Sequence, residues 1–342
     1  MGTRRRRVSV IYFISKLVKW DDLPMEIISN PTQDEIKKAA QALKDGHLVA
    51  FPTETVYGLG ADATNEKAVS RVYSVKARPT DHPLIVHISS INQLSKWAID
   101  IPEYAIKLAK EFWPGPLTLI LKRGDLAKDF ITAGQENVGV RVPEHQAAQK
   151  LLKEFEDLGG LGVVAPSANR FGAVSPTTSN HVKEELGETL RASDLILDGG
   201  PSSIGIESTI VGCLDPQPVI LRPGAITTQM IERATGLHAI ESNLKKSIKA
   251  AGLLASHYSP KAKVILDQIP NPGDGFLAMS NIPTPEGSIR LASPENLEQY
   301  ASELYSALRS GDDKNLAKIY VILPVESGLG EAIRDRLLKS AH

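Results

Sequence analysis

The chain has 342 residues, 42% apolar and 23% charged, a globular composition that excludes a disordered chain, a collagen-like repeat and a disulfide scaffold. Its one cysteine, Cys213, rules out an internal disulfide and Cys-rich zinc sites and points to a reducing, cytoplasmic compartment. The net charge of −1 hides an asymmetry: residues 1–20 carry six cations and no acid, and the rest carries 33 basic against 40 acidic residues, or −7.

That acidic body argues against coating nucleic acid by bulk charge, so an anionic ligand must be met by locally placed cations. No apolar run approaches the roughly 18 residues of a membrane helix. At roughly 150 residues per domain, the length predicts two domains, with three as the alternative.

The chain opens on Arg4–Arg7 and a short apolar run to Ile14. This resembles the start of a signal peptide but lacks a clear cleavage site, and its acid-free, basic character also fits a transit peptide. Residues 1–30 are read as an extension, with Met25 opening a segment like an ordinary N-terminus. Thr32 and Glu35 form a capping box for a helix that stops at Gly46. Strand 47–51 runs into a polar turn, Pro52 to Gly60. A helix spans 66–76, a strand 84–88, and helices 92–98 and 102–112. Strands at 117–121 and 138–142 precede a helix over 144–155 and a strand at 162–165. Strand candidates at 195–197, 208–211 and 219–221 follow.

Strands alternating with helices predict an α/β domain with an open, twisted, mixed sheet, largely parallel, over 31–224. Residues 225–262, with one helix at 228–234, read as a linker. Strands at 264–266, 276–279, 289–292 and 319–323 and helices at 296–309 and 329–338 predict a smaller α/β domain over 263–342.

No G-x-x-x-x-G-K-[ST] loop, G-x-G-x-x-G turn, H-E-x-x-H pair or G-x-S-x-G elbow occurs. Polar residues instead cluster at strand ends, where open α/β sheets bind ligands. Thr53, Glu54, Thr55 and Tyr57 occupy the first turn, which could equally be a capped turn. Lys76, Arg78, His82 and His87 surround a loop stiffened by Pro79 and Pro83. Two cations there suit a polyphosphate, although a lysine at a helix end is favourable in any case, and a lone histidine in an apolar strand is more often a core residue. Arg141 lies within an apolar strand and needs a carboxylate, from the protein or from a ligand. Ala165 to Arg170 with Ser175 offers hydroxyls and an amide for ribose, base or phosphate. Glu207-Ser208-Thr209 and Arg222-Pro223-Gly224 complete a basic, hydroxyl-rich set that suits phosphate or carboxylate chemistry by positioning and charge neutralisation.

Pro52-Thr53-Glu54-Thr55-Val56-Tyr57-Gly58-Leu59, Lys76-x-Arg78-Pro79, His82-Pro83-Leu84, Trp113-Pro114-Gly115-Pro116, Arg141-x-Pro143, Pro166-Ser167-Ala168-Asn169, Glu207-Ser208-Thr209 and Arg222-Pro223-Gly224 stand in the order found in YrdC-type L-threonylcarbamoyladenylate synthases. The chain resembles that family over 31–224. His257-Tyr258-Ser259-Pro260 is similar to the linker motif of its two-domain branch, which carries a small Rossmann-like C-terminal domain.

The resemblance implies synthesis of threonylcarbamoyl-AMP and pyrophosphate from L-threonine, bicarbonate or CO2, and ATP with Mg2+. No protein ligand to the metal is expected. Partner proteins then transfer the threonylcarbamoyl group to adenosine 37 of tRNA. By resemblance, Thr55, His87, Arg141, Ala165 and Ser208 hold L-threonine, with Arg141 on its carboxylate. Lys76, Arg78, His82, Ser167, Asn169, Ser175, Arg222 and Tyr258 hold ATP, with Lys76 and Arg78 catalytic and Tyr258 a lid within 225–262. A chain cut after Tyr258 is then expected to keep much of its activity, and one cut before His257 is not. The competing reading is a YrdC-like module with weak RNA binding and no synthase activity. A carbamoyltransferase of the hydrogenase-maturation type is excluded by the single cysteine.

Overall fold

A computed structural model describes residues 26–241 and 257–341. Residues 1–25, with their targeting-like segment, lie outside the described residues.

The first domain is one eleven-stranded sheet. In chain order its strands are β1 (Glu26–Ser29), β2 (Val49–Phe51), β3 (Gly58–Asp62), β4 (Ile85–His87), β5 (Leu117–Lys122), β6 (Asn137–Arg141), β7 (Val163–Val164), β8 (Leu195–Asp198), β9 (Thr209–Gly212), β10 (Val219–Arg222) and β11 (Ile240–Glu241). Across the sheet they lie in the order β1-β8-β2-β3-β7-β4-β6-β5-β9-β10-β11. The sheet is mixed, as expected, but less parallel: five of the ten neighbouring pairs are antiparallel. Helices 33–44 and 146–157 pack together beside the β1–β8–β2 edge, joined through Ile36, Leu43, Leu151 and Phe155.

Three features of the first sheet depart from the sequence reading. The expected turn through Gly60 ends earlier, because Gly58–Asp62 is a strand antiparallel to β2. Gly60 permits the pairing: a Cβ there would sit 2.8 Å from the Phe51 ring and 2.9 Å from the Val49 carbonyl. Glu26–Ser29, read as part of the extension, pairs with β8. Within the stretch read as linker, the helix Thr228–Thr235 and β11 extend the first sheet beyond β10.

The second domain has four parallel strands, β12 (Lys263–Leu266), β13 (Gly275–Leu277), β14 (Ile289–Ala292) and β15 (Lys318–Val321), in the order β12-β15-β13-β14. Helices Leu297–Asp313 and Leu329–Ser340 pack on it. The domains share a core in which Val56, Val174 and Ile206 of the first meet Tyr258, Tyr300, Leu304 and Tyr305. Gly205 permits that contact: its φ is +80°, and a Cβ there would lie 2.4 Å from Ser302 Cα.

Candidate active site

The residues singled out in sequence converge on the strand ends of the first sheet. His87 ends β4 and Arg141 ends β6, directly opposite each other in register. Arg222 ends β10, and Ser208 immediately precedes β9. Thr55 lies in the connection between β2 and β3, and Ala165 follows β7. Lys76 caps the helix Glu66–Val75, which ends where Ala77 turns the chain at φ +49°.

Thr55, Lys76, Arg78, His87 and Arg141 line one cavity with Ala165, Ser167, Asn169, Ser208, Arg222 and Tyr258. His82 and Ser175 stand behind its wall: the His82 ring meets Phe171 at 5.0 Å, and the Ser175 hydroxyl donates to Glu207 Oε1 at 2.6 Å. The cavity is about 60 Å³, far below the ~300–1,000 Å³ of a site for a drug-sized ligand. A larger groove of about 300 Å³ lies between β10 and the helix Leu329–Ser340, lined by Glu326, Glu331, Arg334 and Asp335. The cations and hydroxyls that suit a phosphorylated substrate lie in the smaller cavity.

The polar contacts within the cavity fix its geometry. Arg141 finds a protein partner: its Nη2 donates to Glu54 Oε1 at 2.5 Å, and its Nε to the Gly115 carbonyl at 3.3 Å. Of the two sources that sequence reasoning left open, the protein supplies a carboxylate in Glu54, whose other oxygen accepts from the Glu144 amide at 2.9 Å. Arg222 donates to the Ser208 carbonyl at 2.8 Å and to its hydroxyl at 3.2 Å, and Thr118 shares a hydrogen bond with that hydroxyl at 2.8 Å.

Lys76 is 1% exposed, and its Nζ donates to the carbonyls of Ser167 and Asn169 at 2.5 Å each. Burial, then the neighbouring Arg78, holds its pKa well below 10.5. Arg78 donates to the Pro83 carbonyl at 2.9 Å and lies 5.4 Å from the Phe171 ring centroid. Burial lowers the Arg78 pKa to about 10, leaving it a cation at neutral pH. His87 is buried and pushed down to about 3 by desolvation and Arg141, so it is neutral.

Several buried polar atoms point to unfilled hydrogen-bonding roles. Among the described residues, His87 Nδ1, Asn169 Oδ1, His257 Nδ1 and the Tyr258 hydroxyl have no partner. Tyr258 also adopts φ +63°, uncommon for a residue with a Cβ. Phe171 was not singled out in sequence, yet Arg78, His82 and His257 gather around its ring. Its signal was its place directly after the Ala165–Arg170 cluster.

The Sua5/YciO/YrdC family model, described as telomere recombination, matches residues 41–224. The model for the C-terminal domain of threonylcarbamoyl-AMP synthase matches residues 226–342. A Bacillus subtilis threonylcarbamoyl-AMP synthase is 38% identical over 94% of this chain and 96% of its own. One from Pyrococcus abyssi is 39% identical over 90% and 94%. The crystal structure of P. abyssi Sua5 complexed with L-threonine matches with a TM-score of 0.83 and 36% identity, over 93% of this chain and 98% of that one. With both domain models matched in order and relatives aligned over almost their whole length, the chain belongs to the two-domain Sua5 type of the threonylcarbamoyl-AMP synthase family, enzymes of the nucleotidyltransferase kind.

Proposed function

We propose that the protein makes L-threonylcarbamoyl-AMP and pyrophosphate from L-threonine, bicarbonate or CO2, and ATP. The observation that carries this reading is the meeting of Arg141, Ser208, Thr55 and His87 with the cationic Lys76–Arg78–Arg222 wall in one cavity. It is supported by the fold's match to a relative solved with L-threonine.

In this reading Arg141, aligned by Glu54, takes the threonine carboxylate, with Thr55, His87, Ala165 and Ser208 around the amino acid. Bicarbonate takes up a proton and loses water to give CO2, and carbamate formation returns that proton. The deprotonated threonine amine adds to CO2, forming a carbamate and releasing a proton. A carbamate oxygen then attacks the α-phosphorus, and the bond to the bridging oxygen breaks with its electron pair leaving on pyrophosphate. The carbamate is already anionic and needs no general base.

Lys76, Arg78 and Arg222 neutralise the triphosphate, with Ser167, Asn169, His82 and Ser175 completing its surroundings. A nearby polyanion favours the protonated form of Lys76, whose third N–H can then meet a phosphate oxygen. Holding the carbamate and nucleotide together supplies the remaining advantage. In this reading the Tyr258 segment lifts to admit the nucleotide, because the cavity it lines is about 60 Å³.

Magnesium would enter with ATP. Among the lining residues Glu207 is the one carboxylate, and Ser175, Tyr305 and Arg336 already engage it. Among the described residues no cluster of three or more His, Cys, Asp or Glu is placed to hold an ion, and no helix is long and apolar enough to cross a membrane. The adenylate would serve partner proteins that modify adenosine 37 of tRNA in the cytoplasm, with at most weak RNA contact by this chain.

The test is pyrophosphate release from ATP and bicarbonate, with and without L-threonine, with mass detection of the adenylate. Threonine- and bicarbonate-dependent release with the matching mass supports the reading. A folded protein that binds ATP but releases none overturns it.

A further inference from the structure

Glu207 stands in the cavity wall immediately before Ser208, yet its carboxylate is held largely from the other domain. Its Oε2 accepts from the Tyr305 hydroxyl and from Arg336 Nε, both at 2.8 Å. Both donors lie on helices of the C-terminal domain. The Arg336 side chain is fully buried. Its Nη2 also donates to the backbone carbonyls of Pro223, at 3.0 Å, and Glu207, at 3.4 Å.

One guanidinium therefore ties the segment entering β9 to the segment leaving β10. Those segments carry Ser208 and Arg222, which are themselves hydrogen-bonded. The same two C-terminal residues seat Tyr258: its ring stacks on Tyr305 at 5.8 Å and 25°, and the Arg336 guanidinium lies 5.4 Å from its centroid.

Charge gives this arrangement a purpose. A bare carboxylate beside a triphosphate site would repel the substrate. Burial alone would raise the Glu207 pKa, but Arg336, Arg222 and the Ser175 hydrogen bond hold it at about 2, so the group is ionised and must be countered. Arg336 counters it from behind the wall and leaves Arg222 directed at Ser208.

We propose that Arg336, assisted by Tyr305, is a positioning residue for adenylate formation: by clamping Glu207 and Pro223 and seating Tyr258, the C-terminal domain builds part of the active site. The inference rests on the synthase reading above. It reverses the expectation that a chain cut after Tyr258 keeps much of its activity, because such a chain lacks the seat of its own lid.

Full-length Arg336→Met, Arg336→Lys and Tyr305→Phe test it by steady-state kinetics, thermal melting and hydrogen exchange of the peptide 257–262. Arg336→Met is expected to lower kcat/KM for ATP on the order of tenfold to a hundredfold, the scale of a small misplacement, and to speed exchange at 257–262. Arg336→Lys, keeping the charge but losing the fork, should recover part of the loss. Tyr305→Phe should lower kcat while melting near wild type. Wild-type constants in a folded Arg336→Met protein overturn the proposal. If that variant does not fold, wild-type kinetics in Tyr305→Phe overturn it instead. Should the wild type itself release no pyrophosphate, the synthase reading has failed separately; unchanged exchange at 257–262 in Arg336→Met or Tyr305→Phe then overturns the clamp, and faster exchange sustains it.

Discussion

Glu54 and Arg141, 87 residues apart in sequence, form a buried ion pair at 2.5 Å at the strand ends where an amino acid is proposed to bind. The pair sets two expectations for Arg141→Ala. Threonine affinity should fall far more than ATP affinity, because the carboxylate partner is lost while the Lys76–Arg78 wall is untouched. The fold should also weaken by about 3–5 kcal/mol, because Glu54 is left buried without its counter-charge. Calorimetric titration of both ligands, alongside urea unfolding, separates the two. Equal loss of both ligands removes Arg141 from the threonine subsite. Glu54→Gln, which keeps a hydrogen-bond acceptor, should give a milder version of the same pattern.

That pair also marks how far the sequence could be read. The burial of Arg141 in an apolar strand was legible, because Val140 and Val142 flank it, and so was its need for a carboxylate. Which carboxylate was not, since contact across 87 residues depends on sheet order. Most strands and helices followed from periodicity and caps, among them the Thr32–Glu35 capping box. Gly58–Asp62 was lost because its glycines signal a turn, whereas Gly60 serves a close approach to Phe51. The helix Ser179–Leu186 was missed because its polar face dominates so short a stretch. The clamp by Arg336 and Tyr305 left no local trace: both residues lie on ordinary amphipathic helices of another domain.

Lys76→Ala should abolish most adenylate formation, by on the order of a hundredfold or more, for two separable reasons. It removes a cation from the phosphate wall, and it frees the carbonyls of Ser167 and Asn169 that Nζ holds. Lys76→Arg tests the balance: it restores charge but cannot place a compact ammonium between two carbonyls. Near-wild-type turnover in Lys76→Ala would take the residue out of the site altogether.

The buried histidines predict how stability responds to acid. His87 and His257 both have folded-state values near 3, below the usual 6.5. For His87 the causes are burial and then Arg141; for His257 burial dominates, and Glu207 opposes it in part. The unfolded chain takes up these protons near pH 6.5 and the folded protein does not. The stability they confer is thus complete above pH 6.5 and is lost as pH falls toward 3. Each contributes a slope of up to about 1.4 kcal/mol per pH unit. Urea unfolding between pH 7 and 5 should show the decline, and a variant carrying both His87→Gln and His257→Gln should show a shallower one. Equal slopes in the two proteins would mean that neither ring is held neutral.

Tyr258→Phe separates folding from substrate contact within the lid. The Tyr258 hydroxyl is buried without a partner among the described residues, and its backbone lies at φ +63°. Removing only the oxygen leaves that backbone, the stack on Tyr305 and the contact with Arg336 in place. An unpartnered buried hydroxyl costs about 1–3 kcal/mol, so the variant should melt at the wild-type temperature or above it. If the hydroxyl meets the triphosphate in the closed complex, the same variant should raise the KM for ATP and leave that for threonine nearly unchanged. A gain in stability coupled to a loss in ATP affinity is the pattern of a polar group kept for a ligand rather than for the fold. Unchanged ATP kinetics would confine Tyr258 to its ring, which closes the cavity by packing and makes no hydrogen bond to the nucleotide.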